Sequence, residues 1–327
     1  MTPSQTYRPL RLIGFAATCL FASSCVMAQA WPSKPIKLVV SYPPGGTVDA
    51  VARVIAPRLS ERLKQPVVVD NRAGAGGAIG GDAVAKAPGD GYTFLLDASN
   101  HAQNPALRSK MPFDTLRDLT PVSLLVKVPN VLVVTPSTSY RSVKDVLAQA
   151  KAKPGEINFA SSGNGSAQHL AGELFQTMGA VRMTHVAYKG GGPALTDVMA
   201  GQVPVFFASL ASSLPYIQSD KLRAIAVTGK ARSPVLPQLP TVAESGLPGY
   251  EVYEWNAIFA PGGTPPAVIE RLSTELAAVV QEPAVKSRLE AMGAEVIGSG
   301  SAELDRFRRT EIDKWTKLAK DNKISLD

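Results

Sequence analysis

Cysteine is nearly missing from this chain. Its 327 residues include two, Cys19 and Cys25, and both fall in an N-terminal stretch with the features of a removable leader. Arg8 and Arg11 precede an apolar run from Leu12 to Phe21, and Ala28-Gln29-Ala30 offers a small-residue cleavage site. Cleavage after Ala30 makes residues 1–30 a signal peptide and Trp31 the first residue of an exported chain with no thiol. Disulfides, thiol catalysis and thiolate metal sites are then excluded. A lipid anchor on Cys25 would want a large aliphatic residue three positions earlier, where Ala22 stands.

Other shortages narrow the field further. The apolar run of the leader is shorter than the ~20 residues that span a bilayer, and no later run approaches that length. Aromatics make up 6% of the chain, and the net charge is +7. The leader takes two arginines and no acid with it, leaving +5. Lys and Arg are scattered without a basic block, so a nucleic-acid platform is not expected; a diffuse positive field that steers anions is. Histidines number three, His101, His169 and His185. No nucleophile elbow, phosphate-binding loop or paired-histidine zinc motif occurs, and the pair His169 and Glu173 alone makes no metal site. Gly74 and Gly76 follow a strand-like run, but Ile79 stands where a dinucleotide fingerprint needs its third glycine, so no cofactor is expected.

What the chain has in excess is turn-forming residues, 27 glycines and 26 prolines. They separate short apolar runs from amphipathic stretches. Ile36 to Val40 reads as a buried strand, followed by Val48, Val51, Ile55, Leu59 and Leu63 on one helical stripe, with Pro57 expected to kink or break it. Strands near 67–69, 92–96, 131–134, 157–160, 183–186, 203–207 and 224–227 alternate with helices near 78–86, 143–152 and 166–178. That alternation predicts an α/β fold with mainly parallel sheets flanked by helices. About 300 residues exceed one ordinary core, which predicts two domains. Pro121 to Val134 and Tyr250 to Pro261 are the long extended stretches that can cross between them as a hinge. The expected division is 31–130 plus 253–327 as domain 1 and 131–252 as domain 2, with helices near 268–280, 284–292 and 304–320 packed back on the first.

Two glycine-rich turns sit between a strand and a helix. One is Ser41 to Asp49, SYPPGGTVD; the other is Ala160 to His169, ASSGNGSAQH. A helix start leaves backbone N–H groups unpaired, and its dipole favours an anion there. Gly45 and Gly46 would let a ligand oxygen reach the backbone, with Thr47 as cap and Asp49 in the first turn. Ser161, Ser162, Gly163 and Ser166 supply short polar groups at the second. Facing each other, the two turns would clamp a carboxylate. The competing enzyme reading is an exported α/β hydrolase that uses Ser162 or Ser166 with His169.

The stretches YPPGGTVDAVARVIAPRLSERL, VVVDNRAGAGGAIG, PGDGYTFLL, FASSGNGSAQHLAGELF, VAYKGGGPALTDVMAGQV, LRAIAVTG and LPTVAESGLPGYE carry a likeness along the whole exported chain. It resembles the Bug (Bordetella uptake gene) family, periplasmic solute receptors of tripartite tricarboxylate transporters. The resemblance implies a two-domain Venus-flytrap fold in the periplasm, no catalysis, no cofactor or metal, a monomer, and a small carboxylate handed to inner-membrane transporter subunits. It implies that Gly45, Gly46, Thr47 and Asp49, with Ser161, Ser162, Gly163 and Ser166, hold one ligand carboxylate, partly through water. Ser99 and Asn100, beyond the carboxyl end of a strand, should line the domain 1 wall, and Tyr42 and His169 complete the candidate ligand-binding set. Tyr42 and Asp97 depart from the usual family residues, and Asp97 near a cleft would repel an anion or accept from an amino or hydroxyl group.

Overall fold

In the computed structural model, which describes residues 1–2, 31–322 and 324–326, the alternation of short strands and helices is present from Ile36 onward. The leader, its cleavage site and both cysteines lie outside the described residues. The first stretch runs β1 (Ile36–Val40), α1 (Thr47–Leu63), β2 (Val67–Asn71), α2 (Ala78–Ala85), β3 (Thr93–Ala98) and α3 (Asn100–Leu107). A long strand, β4 (Leu119–Val134), leads into α4 (Val143–Ala152), β5 (Asn158–Ser161), α5 (Ala167–Gly179), β6 (Thr184–Ala187), α6 (Gly191–Met199), β7 (Val205–Ser209), α7 (Leu210–Gln218) and β8 (Arg223–Val227). The chain returns along β9 (Tyr253–Pro261) and ends in α8 (Pro266–Gln281), α9 (Pro283–Ala291), β10 (Glu295–Val296) and α10 (Ser301–Asn322).

Strand order is β2-β1-β3-β9-β4-β7-β5-β6, with β10 and β8 also paired to β4. β4 belongs to two sheets. Its first part, through Pro129, pairs with β9, and from Asn130 onward it pairs with β7. The handover falls at a proline, which cannot donate to a ladder. Asn130 is then held by Thr228, whose hydroxyl accepts from its N–H at 2.8 Å.

The outer strands of both sheets are parallel and flanked by helices, as expected, and the crossing strands add antiparallel pairs. β1 pairs with β2 and β3, and β5 with β6 and β7, in parallel, as helix-linked strands must. β9 pairs antiparallel with β3 and β4. The reason is topological: one strand leaves the first sheet and the other comes back. Pro57 does not break α1, which continues through it to Leu63. Its side is exposed, so the carbonyl that loses an intrahelical bond can turn to water.

Both crossing strands are buried almost throughout, Val122 to Val134 on β4 and Trp255 to Ala260 on β9. α8 and α10 pack across β4, α8 also meets α1, and α10 meets α3, so the last helices cover the first sheet. The glycines of 74–81 do allow close packing. A Cβ on Gly80 would lie 3.0 Å from Ser41 Cα and from the Arg72 carbonyl. Among the described residues no helix is long and apolar enough to cross a membrane.

Candidate functional site

Where the strands of both sheets end, the helices that follow begin, and several begin at one place. A cavity of about 440 Å³ is lined by the first residues of five helices: Gly46 to Val48 of α1, Ser99 before α3, Ala167 and Gln168 of α5, Gly190 to Gly192 of α6, and Ser209 before α7. Each start carries N–H groups with no carbonyl in their own helix and the positive end of a dipole. The charged side chains of the lining are Lys189, which is exposed, and Glu254, which is buried. The two walls touch where Thr47 Oγ1 lies 3.0 Å from Ser209 Oγ.

The first turn is braced from behind. Gly46 caps α1 and Thr47 is its first helical residue, so the cap sits one position earlier than expected. Gly45 adopts φ of 86°, a left-handed conformation suited to glycine. Asp49 does not line the cavity. It is buried, accepts from the Gly45 N–H at 3.0 Å, Arg53 Nε at 2.8 Å and Asn71 Nδ2 at 3.0 Å, and so fixes the turn's shape. Burial pushes its carboxyl upward, but the three hydrogen bonds, led by Arg53, outweigh that and hold it below the usual range. Tyr42 lines the cavity and donates its hydroxyl to Asn100 Oδ1. Asn100 thus acts behind Tyr42 and does not itself form the wall.

Of the second turn, Ser162 reaches the cavity. Ser161 is fully buried, and its hydroxyl lies 2.6 Å from His185 Nε2. Gly163 packs under the Tyr188 carbonyl, which a Cβ would meet at 3.1 Å. Ser166 is spent as the cap of α5, accepting from the His169 N–H. His169 turns away from the cavity: its Nδ1 accepts from the Gly165 N–H at 3.1 Å, Nε2 lies 3.6 Å from Glu173 Oε1, and its ring stacks on His185 at 3.9 Å. Its imidazole touches neither Ser162 nor Ser166, so the serine–histidine pairing of the hydrolase reading is not formed. Burial, then the charge of His169, pushes the His185 imidazole down to about 3. Asp97 also points inward, accepting from Ser41 Oγ at 2.6 Å and lying 3.3 Å from His101 Nδ1.

Several lining residues were not among the expected ones. Lys189 to Pro193, KGGGP, form a third glycine-rich junction that runs into the first residues of α6, and the Gly190 N–H donates to the Ser162 carbonyl at 3.1 Å. That signature was present in the sequence. Gln168, Ser209, Ser212, Tyr216 and Glu254 carry no comparable signal. Glu254 Oε2 accepts from Gln168 Nε2 at 3.2 Å, and burial raises its carboxyl above the usual range, opposed by the neighbouring Ser209, Gln168 and Asn256. Among the described residues no group of three His, Cys, Asp or Glu could hold a metal.

Comparison with known proteins identifies the family and the fold. The model of the family described as tripartite tricarboxylate transporter family receptor matches residues 51–324. The protein BugT of Bordetella pertussis (strain Tohama I) is 40% identical over 322 residues, covering 98% of each chain. Rpa4515 of R. palustris, solved with adipate, is 40% identical, with a TM-score of 0.86, over 90% of this chain and 99% of that one. MatC (Rpa3494) of Rhodopseudomonas palustris, solved with bound malate, is 30% identical, with a TM-score of 0.82, over 88% and 99%. The fold is that of the two-domain periplasmic binding proteins.

Proposed function

Because this chain belongs to the tripartite tricarboxylate transporter receptor family, a family of solute-binding receptors, we propose that it captures a small dicarboxylate in the cavity between its two halves and delivers it, in the periplasm, to an inner-membrane transporter. The observation that carries this reading is the meeting of five helix starts on one cavity of about 440 Å³. Each start is equivalent to roughly half a positive charge, and Lys189 adds a full one. A site of that sign and size suits a doubly charged small anion. The ligands of Rpa4515 and MatC, adipate and malate, are of this class.

We take residues 31–130 with 253–327 as one domain and 131–252 as the other, joined by β4 and β9. Gly45, Gly46 and Thr47 reach the ligand from the first, with Tyr42 and Ser99; Ser162, the 190–192 turn and Ser209 reach it from the second. A ligand that bridges both walls binds the closed form better and so drives closure. Each hydrogen bond to a charged carboxylate contributes about 1.5–3 kcal/mol, so a handful reach the ~8 kcal/mol of micromolar affinity. No residue is given a catalytic role.

Thermal unfolding and calorimetry of residues 31–327, stripped of bound solute, against C4 to C8 dicarboxylates, tricarboxylates, amino acids and aromatic acids test the proposal. Saturable stabilisation by dicarboxylates that are recovered unchanged is the expected result. Absence of binding by every carboxylate, or conversion of one, would overturn it.

A further inference from the structure

An acidic side chain inside an anion-binding cavity needs a reason. Glu254 stands on the returning strand β9, buried, on the cavity wall. Electrostatic repulsion from its carboxylate would oppose every anionic ligand, and burial without a paired cation already raises its carboxyl above the usual range.

The surroundings show which way the carboxyl is used. Gln168 Nε2 has two N–H bonds, one given to Glu254 Oε2 and the other to Asn130 Oδ1, each at 3.2 Å. With both spent, the cavity side of Gln168 can offer its carbonyl oxygen. Ser209 and Asn256 stand near the Glu254 carboxyl and oppose the effect of its burial, and Ser209 can accept from Thr47 across the cleft. The direct side-chain donor to Glu254 is Gln168 of α5, with Ser209 before α7 and Asn256 of β9 beside it. The carboxyl is organised as an acceptor, and its neighbour Gln168 adds a second acceptor. Among the described residues no cationic side chain pairs with the Glu254 carboxyl, and no donor from the opposite cavity wall is hydrogen-bonded to it.

We propose that Glu254 is a specificity-determining residue that accepts a hydrogen bond from an O–H or N–H group of the ligand, so that the cavity prefers a hydroxy- or amino-substituted dicarboxylate to the unsubstituted one. The inference rests on the receptor reading above and adds the chemistry of the ligand's middle. A hydroxyl supplies the missing donor; an ammonium supplies both donor and cation. A site whose buried polar groups expect a donor discriminates strongly against the analogue without it, because those groups are left unpaired.

The test is calorimetry with matched sets: succinate, malate and aspartate; adipate, 2-hydroxyadipate and 2-aminoadipate. Wild-type protein should bind the substituted member of at least one set tenfold or more tightly than the plain acid. Glu254→Gln, which keeps the size and removes the charge, should fold and shrink that ratio below about threefold. Equal binding of plain and substituted acids by the wild type would overturn the inference. Glu254→Ala, read by the same ratio, guards against a glutamine that reproduces the contact: a ratio retained in both variants also overturns it. Failure of the wild type to bind any carboxylate would count instead against the receptor reading. A larger gain from the amine than from the hydroxyl would show that the carboxyl is ionised in the complex.

Discussion

At the scale of single residues, two glycines in one turn have different tasks. Gly45 serves the backbone, with its left-handed φ of 86°. Gly46 has φ of −85°, which any residue adopts, and a Cβ there would come no nearer than 3.8 Å to its neighbour, the Pro43 carbonyl. Its smallness therefore serves the cavity. Gly46→Leu should fold with a ligand-free melting temperature within about 2–4 °C of wild type, the shift of roughly 1 kcal/mol or less for a surface change, yet bind its carboxylate at least tenfold more weakly by calorimetry. A variant that bound normally would remove the first turn from the site. The residues that the sequence makes legible are those on the rim, Gly45 to Thr47 and Ser162, because glycine before a helical stripe has a local signature. Asp49, Ser161, Ser166 and His169 look alike on paper, polar and close to a turn, but each is consumed in holding the turn's shape. Gln168 and Glu254 lie 86 positions apart and are joined by a hydrogen bond; nothing local announces such a pair.

At the scale of elements, apolar periodicity reveals most helices and strands, and hides those whose breakers fall inside them. α3 contains Pro105, α7 contains Pro215, and α6 opens with glycines and a proline. These three starts line the cavity, so the helices hardest to read are among those the ligand meets. How closely a helix lies on its sheet is likewise written in one atom. α5 approaches β5 through Gly172, where a Cβ would sit 2.1 Å from the Phe159 ring, and Phe159 is fully buried against Phe207 and His185. Gly172→Ala gains helix propensity of about 1 kcal/mol but overpacks a core that cannot yield, which costs about 1–3 kcal/mol or more. Net destabilisation of about 1–2 kcal/mol in urea melts is expected, with weaker ligand binding because the start of α5 shifts in the cavity wall. Stabilisation would mean that Phe159 can move aside.

At the scale of the whole molecule, global stability carries the mark of one half-buried imidazole. His185 stays neutral in the folded chain down to about 3, while in the unfolded chain it takes up a proton near 6.5. Its folded pKa is lowered, so the unfolded state binds more protons between those values. Stability is fully present above about pH 6.5 and declines as pH falls toward 3. Urea midpoints at pH 7.5, 6.0 and 4.5 should fall in that order. His185→Gln, whose amide can still meet Ser161, should flatten the slope over this interval. An identical slope in the variant would assign the acid sensitivity to other groups.

The double membership of β4 has a consequence for how the molecule comes into being. The first sheet is already three strands long when residue 98 has been made, but its central partner, β9, arrives only with residues 253–261, and the helix that covers it with 301–322. The stretch between is contiguous and can assemble its strands as they emerge, whereas the first sheet must wait, its edge at β3 unpaired, for nearly the entire remaining chain. Synthesis thus sets a timetable in which the half that begins first is finished last, and the cavity, lined from both, has its last wall residue only when Glu254 on β9 has been made.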